Sequence, residues 1–188
     1  MDYLTIQDEL GCLLEDFFAD KGLLFEKAAH ALVKSLRSGR KVLVFGNGGS
    51  AAEAQHFAAE LVNKFSRPRK PLRAVALTTD TSALTSIAND SSYASVFSRQ
   101  VEALGDEGDV ALALSTSGTS PNIVEALQAA KKKKLQTIAL TGEGGGKLGP
   151  LSDFLLDVPS RSTPRTQEVH LVLLHLFAQE LDDRLADT

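Results

Sequence analysis

KVLVFGNGGSAAEAQHFAAEL, residues 41–61, decides the fold. Its run Val42-Leu43-Val44-Phe45 is apolar without alternation, the mark of a strand buried on both faces. Gly46-Asn47-Gly48-Gly49 turns the chain sharply, Ser50 is a suitable N-cap, and Ala51 to Leu61 has the composition of a helix. A glycine loop that feeds a helix N-terminus is an anion site in outline. The backbone can come close, the first helical N–H groups have no helical partner, and the helix dipole favours negative charge. One turn further on, His56 and Glu60 stand at i and i+4 and share a face.

Outward from this unit the same grammar repeats. Leu72–Thr78, Val110–Leu114, Leu135–Leu140 and Phe154–Val158 read as four further strands. Helices are expected over Ala83–Ala88, Tyr93–Leu104, Ile123–Lys133 with Pro121 at its start, and Pro164 to about Leu185. Alternating strands and helices predict an α/β fold, a parallel sheet of five strands covered on both faces. In such sheets ligands lie beyond the C-terminal strand ends, where three polar loops fall: 46–50, 78–82 and 115–120. Upstream, apolar stripes over 3–18 and 22–38 predict two amphipathic helices, with Gly39 as C-cap. Their apolar faces either cover the sheet or meet another subunit. The chain reads as one domain over 1–188, helices over 1–38 and sheet with its covering helices over 41–188.

Composition narrows the function classes. At 188 residues with 43% hydrophobic and 23% charged side chains, the chain can bury a substantial core. A net charge of −4 argues against nucleic-acid binding through a general basic surface. No apolar run approaches the roughly 20 residues of a membrane span, and the N-terminus MDYLTIQDELGC has no secretory pattern. Cys12 is alone, so neither a disulfide framework nor a cysteine zinc motif is available. Together these features predict a cytoplasmic metabolic protein, with no nucleic acid and no membrane among its partners.

The second strong signal is Ser115-Thr116-Ser117-Gly118-Thr119-Ser120, a hydroxyl-rich loop between a buried strand and a proline-started helix. Backbone N–H groups and hydroxyls there can cradle a phosphate without a cation. The first loop also fits G-x-G-x-x-A, the dinucleotide fingerprint, but Asp80 lies 29 residues beyond Ala51 against roughly 20 for the ribose-binding acid. The basic run Asn63–Pro71, with Lys64, Arg67, Arg69 and Lys70, reads first as a solvated loop.

His56 and Glu60 sit in a small, apolar helix where a polar pair is costly without a use. The last helix carries Gln167, His170 and His175. Gln167 and His175 are eight apart, about 80° around the helix, and can address one cavity; His170, three from Gln167, fits about as well. Two His, a Glu and a Gln could hold a divalent metal, zinc by ligand type, or a His and Glu could work as general acid and base. Spacing does not separate these options.

GNGGSAAEAQHFAAEL, ALTTDTSALTSIAND, FSRQVEALGDEGDV, LSTSGTSPN and RTQEVHLVLLH, in that order between about Ala28 and Phe177, closely resemble the phosphoheptose isomerases. These are single-domain members of the sugar isomerase (SIS) superfamily. The resemblance implies a three-layer αβα sandwich whose two N-terminal helices serve oligomerisation, and a homotetramer with active sites between subunits. It implies interconversion of sedoheptulose 7-phosphate and D-glycero-D-manno-heptose 7-phosphate, an early step to bacterial heptose precursors of lipopolysaccharide and other glycans. By motif position, Glu60 matches the general base and His175 the general acid, while His56, Glu60, Gln167 and His175 match a zinc site, one Zn2+ per subunit. Asn47, Gly48, Gly49, Ser50, Glu60, Asn89, Asp90, Ser115, Thr116, Ser117, Ser120 and Gln167 match the substrate contacts. Lys64 stands where many relatives have arginine, and Ser160–Thr163 varies among them, so no contact is carried over at either. The superfamily also holds a non-enzymatic relative, the DnaA initiator-associating protein, which lacks the glutamate and histidine found here at Glu60 and His175. A sugar-phosphate sensor is a third reading.

Overall fold

Five apolar segments pair side by side in the computed structural model, which describes residues 3–186. They are β1 (Val42–Gly46), β2 (Ala74–Ala76), β3 (Val110–Ser115), β4 (Gln136–Thr141) and β5 (Phe154–Asp157). The sheet order is β2-β1-β3-β4-β5 and every pair is parallel. Side chains alternate across it, as a period of two requires. Val42, Val44, Leu112, Leu114 and Leu140 face one core, and Leu43, Phe45, Ala111, Ala113 and Ala139 the other. The central strands are therefore buried on both sides, which is why they lack polar alternation.

The first core is covered by α1 (Tyr3–Arg37), α2 (Gly49–Val62) and α6 (Thr163–Leu185). The second lies under α3 (Thr81–Asp90), α4 (Ser98–Leu104) and α5 (Pro121–Lys132). This is the expected αβα sandwich. Chain order reverses between β1 and β3: β2 lies outside β1, whereas β4 and β5 lie beyond β3. The crevice of such a switch point opens between the loops that leave β1 and β3. Register places Gly46 opposite Leu114, so those two loops start as neighbours.

Three expectations are corrected. The segments 3–18 and 22–38 form one helix of 35 residues, not two. An interior glycine costs about 1 kcal/mol relative to alanine, and Gly22 is carried through by packing around it. Phe25 stacks on Phe177 with ring centroids 4.4 Å apart, Phe17 is fully buried, and Lys21 bonds Asp157 at the end of β5 at 3.1 Å. The helix ends at Gly39 as expected, in a Schellman turn with Arg40 N–H donating to Ser35 O at 3.1 Å and Gly39 N–H to Leu36 O at 3.0 Å. Ser50 is not the N-cap of α2. Gly48 takes that position with φ +57°, a conformation that suits glycine, and Ser50 is buried in the first turn. Residues 93–104 divide into a 3-10 turn, Tyr93–Ser95, and α4, with Val96 and Phe97 buried at the join.

Candidate active site

A cleft of about 300 Å³ opens at the switch point, lined by Asn47, Gly48, Gly49 and Ser50 from the first loop and Ser115, Thr116, Ser117 and Ser120 from the third. Thr163 and Gln167 close it from α6. Three helices start here: α2 at Gly49, α5 after its N-cap Ser120, and α6 at Thr163. Each brings unpaired N–H groups and the positive end of its dipole. No Lys, Arg or His lines the cleft. Its lining is backbone, hydroxyl and amide, the kind of wall that suits an anion without a cation.

Close packing fixes both loops. Gly118 has φ +63°, and a Cβ there would collide with the Gly145 carbonyl oxygen, so the turn 142–146 braces the hydroxyl loop from behind. Lys147 N–H donates to Gly118 O at 2.8 Å. Asn47 and Asn122 exchange amide hydrogen bonds of 2.9 and 2.8 Å, and Tyr93 O–H donates to Asn47 Oδ1 at 3.3 Å. Asn122 and Tyr93 thus hold the first loop against the third. Neither was found by sequence reading, because a pair 75 residues apart leaves no local signal. Thr163 was likewise missed.

From the cleft, α2 and α6 run on together. A Cβ on Gly49 would stand 2.5 Å from Gln167 Nε2, so glycine at that position lets the helices close. Further along, His56 Nε2 and His175 Nε2 are 2.9 Å apart, and Glu60 Oε1 is 3.5 Å from His56 Nε2. Phe65 packs on the His175 ring with centroids 5.4 Å apart. Of the two histidines of α6, His175 meets His56 and His170 does not. His170 is fully buried beneath the sheet, bonded through Nε2 to Thr141 O at 3.1 Å, and burial pushes its pKa down to about 4.

Gln167 lies at Gly49, eight residues before His175. Asn89 and Asp90, at the end of α3, bond each other at 2.8 Å, and Asp90 lines a separate surface pocket with Ser86, Ile87, Ser91 and Arg99. They do not line the cleft of this chain. Asp80, the acid of the dinucleotide reading, instead caps α3 by accepting from Ala83 N–H at 2.9 Å.

Glu53 was also missed. It lies three residues before His56 and seven before Glu60, so it shares their face of α2. Its Oε2 is buried without a partner, and burial, opposed by a hydrogen bond with Ser50, pushes its pKa up to about 7.

Two imidazoles and a carboxylate brought together form a donor set that suits zinc. Among the described residues no three His, Cys, Asp or Glu side chains are spread to metal-binding distances as they stand. The two ring nitrogens instead close on each other. The chemistry of the set fits the metal, with Gln167 standing at the cleft end of the same helix pair.

The SIS-domain family profile matches residues 7–142, from within α1 to just beyond β4. The phosphoheptose isomerase of Azoarcus sp. is 55% identical over 159 residues, 83% of this chain and 81% of its own. The chain belongs to the phosphoheptose isomerase family. Solved structures from the family superpose closely. That from Neisseria gonorrhoeae has a TM-score of 0.89 at 43% identity, covering 96% of both chains. That from Francisella tularensis has a TM-score of 0.91 at 36% identity, covering 97% of this chain and 100% of its own. The family likeness thus extends through α6, which carries Gln167 and His175 and lies outside the profile match.

Proposed function

We propose that this chain is an aldose–ketose isomerase that converts sedoheptulose 7-phosphate to D-glycero-D-manno-heptose 7-phosphate, supplying bacterial heptose for lipopolysaccharide and related glycans. One observation carries the reading. An anion cleft without cations shares two of its helices, α2 and α6, with a cluster of Glu60, His56 and His175. His56 lies seven residues beyond Gly49, about 10 Å along α2. An extended seven-carbon sugar spans a similar distance, roughly 10 Å from its phosphate to C1. The scaffold can therefore hold the phosphate at one end and the reacting carbons at the other.

The reaction moves one proton between C1 and C2. In our reading Glu60 takes the proton from C1 while His175 gives one to the carbonyl oxygen on C2, forming the enediol. His175 then takes the proton of the C1 hydroxyl, and Glu60 returns its proton to C2, leaving the aldehyde at C1. Each group ends as it began. His56, within 3.5 Å of Glu60 and 2.9 Å of His175, orients both. His56, Glu60, His175 and Gln167 would hold a Zn2+, which when bound polarises the substrate oxygens. Asn47, Gly48, Gly49 and Ser50 would hold the sugar, and Ser115, Thr116, Ser117 and Ser120 its phosphate.

Asn89 and Asp90 enter the reading through assembly. Tyr3, Leu4 and Leu23 on α1, Val62 on α2, and Val172 and Leu176 on α6 are exposed apolar side chains, and His56 is exposed as well. A homotetramer that covers these faces would complete each site with residues of a neighbour. Among the described residues no helix is long and apolar enough to cross a membrane; the reading places the enzyme in the cytoplasm. The relatives at 36–55% identity are named as phosphoheptose isomerases, which supports an enzyme over a replication regulator. The test is turnover: purified protein incubated with sedoheptulose 7-phosphate, with and without added zinc, should yield the aldose, and no aldose under either condition would overturn the proposal. Light scattering should give four times the chain mass of 20.1 kDa.

A further inference from the structure

The loop 63–71 was expected to be a solvated basic run, yet Arg69 has no exposed side-chain surface. Its guanidinium is fully occupied. Nε–H donates to Asp182 Oδ1 at 2.7 Å, Nη2–H to Glu60 O at 2.6 Å, and Nη1–H to Leu61 O at 2.8 Å. The last two are carbonyls of the final turn of α2, which lack helical partners. Asp182 is also fully buried, seven residues beyond His175 on α6. Its other oxygen accepts Ser66 N–H at 2.7 Å and Arg67 N–H at 2.8 Å. Burial alone would raise this carboxyl; the N–H groups of Arg67 and Ser66 and the Arg69 guanidinium hold it below its ordinary range.

We propose that Arg69 and Asp182 are positioning residues for the isomerisation, a buried clamp that fixes Glu60 and His175 relative to each other. The clamp ties the turn that contains Glu60 directly to the helix that carries His175. Through Ser66 and Arg67 it also pins the loop whose Phe65 packs on the His175 ring. Proton transfer depends steeply on such placement, because an error of about 1 Å can cost a hundredfold. The phosphate cleft lies at the opposite end of α2, whose 14 residues span about 20 Å. Loosening the clamp should therefore reach the chemistry and spare phosphate binding. The rigid planar fork reaches Asp182 Oδ1, Glu60 O and Leu61 O from separate nitrogens, whereas the three donors of a lysine ammonium radiate from one point and do not span them.

This inference rests on the reading of Glu60 and His175 given above. Its test uses Arg69→Lys, which keeps the charge, and Asp182→Asn, which keeps an acceptor for the loop N–H groups and turns its amide on Arg69. Both should lower kcat at least tenfold, with KM for sedoheptulose 7-phosphate and inhibition by inorganic phosphate within about threefold of wild type. Folded variants with wild-type kcat, or with kcat and phosphate affinity falling together, overturn the clamp. If neither variant folds, Phe65→Leu, at a half-buried side chain of the pinned loop, decides: a kcat loss at constant KM supports the clamp, and unchanged kcat overturns it. Glu60→Gln is assayed alongside. Its retaining turnover defeats the reading of the site, whereas an inactive Glu60→Gln beside a fully active Arg69→Lys defeats the clamp alone.

Discussion

His56 and His175 meet Nε2 to Nε2 at 2.9 Å although 119 residues separate them. One ring must donate to the other, and the Glu60 carboxylate lies against the same atom of His56 at 3.5 Å. The contact joins α2, the helix that follows β1, to α6, the last helix of the chain, so the site exists only once the whole fold has closed.

Removing the acid or the base should stop turnover without unfolding the chain. Glu60→Gln and His175→Gln are expected to lower kcat by about 10²–10⁴. Circular dichroism and melting temperature should stay near wild type, since neither side chain is fully buried.

The hydroxyl loop should control binding rather than chemistry. Gly118→Ala places a Cβ against Gly145 O at a residue with φ +63°. Strain of about 1–3 kcal/mol is expected. KM for the sugar phosphate should rise more than tenfold with kcat less affected, as measured in initial-rate assays.

Metal removal should separate the two histidines of α6. Dialysis against a chelator is expected to reduce turnover, with recovery on adding zinc. His170→Gln should keep that response, because His170 faces Thr141 O and not the cluster, whereas His175→Gln should lose it.

Two buried groups should tilt stability with pH in opposite senses. His170 titrates near 4 when folded against 6.5 in the open chain, so the unfolded state binds the extra proton between those values. Stability from this group is lost as pH falls through that window, by up to about 3 kcal/mol. Glu53 titrates near 7 when folded against 4.5 unfolded, so the native state holds the extra proton and stability is lost as pH rises toward 7. Glu53→Gln should therefore be more stable than wild type at pH 8, by up to about 3 kcal/mol, with little difference at pH 4. Urea titrations at both pH values measure this.

Much of this was legible along the chain because the signals are local. Apolar runs marked the strands, the polar loops 46–50 and 115–120 marked the cleft while the third, 78–82, does not line it, and the i, i+4 spacing of His56 and Glu60 put them on one face. Signals failed where a contact spans the sequence. The apolar stripes over 3–18 and 22–38 read as two helices, and Phe177 and Asp157, far along the chain, explain why α1 runs on between them. Arg69 looked solvated because its acceptors, the α2 end and Asp182, come together only in three dimensions. His170 and His175 differ by five positions and no composition; what separates them is which side of α6 the sheet covers.

The cleft built from three helix starts has a kinetic consequence. Backbone N–H groups and serine hydroxyls carry no proton that leaves near neutral pH, so the binding walls offer the enzyme no ionisation of their own. In direct contact with those walls the titrating group is the substrate, whose phosphate ester passes from one charge to two near pH 6, while Glu53, hydrogen-bonded to the wall residue Ser50, titrates near it. In Glu53→Gln the pH dependence of KM should therefore follow the sugar phosphate, and that of kcat the catalytic groups. The two halves of the reaction can thus be read on separate titration curves.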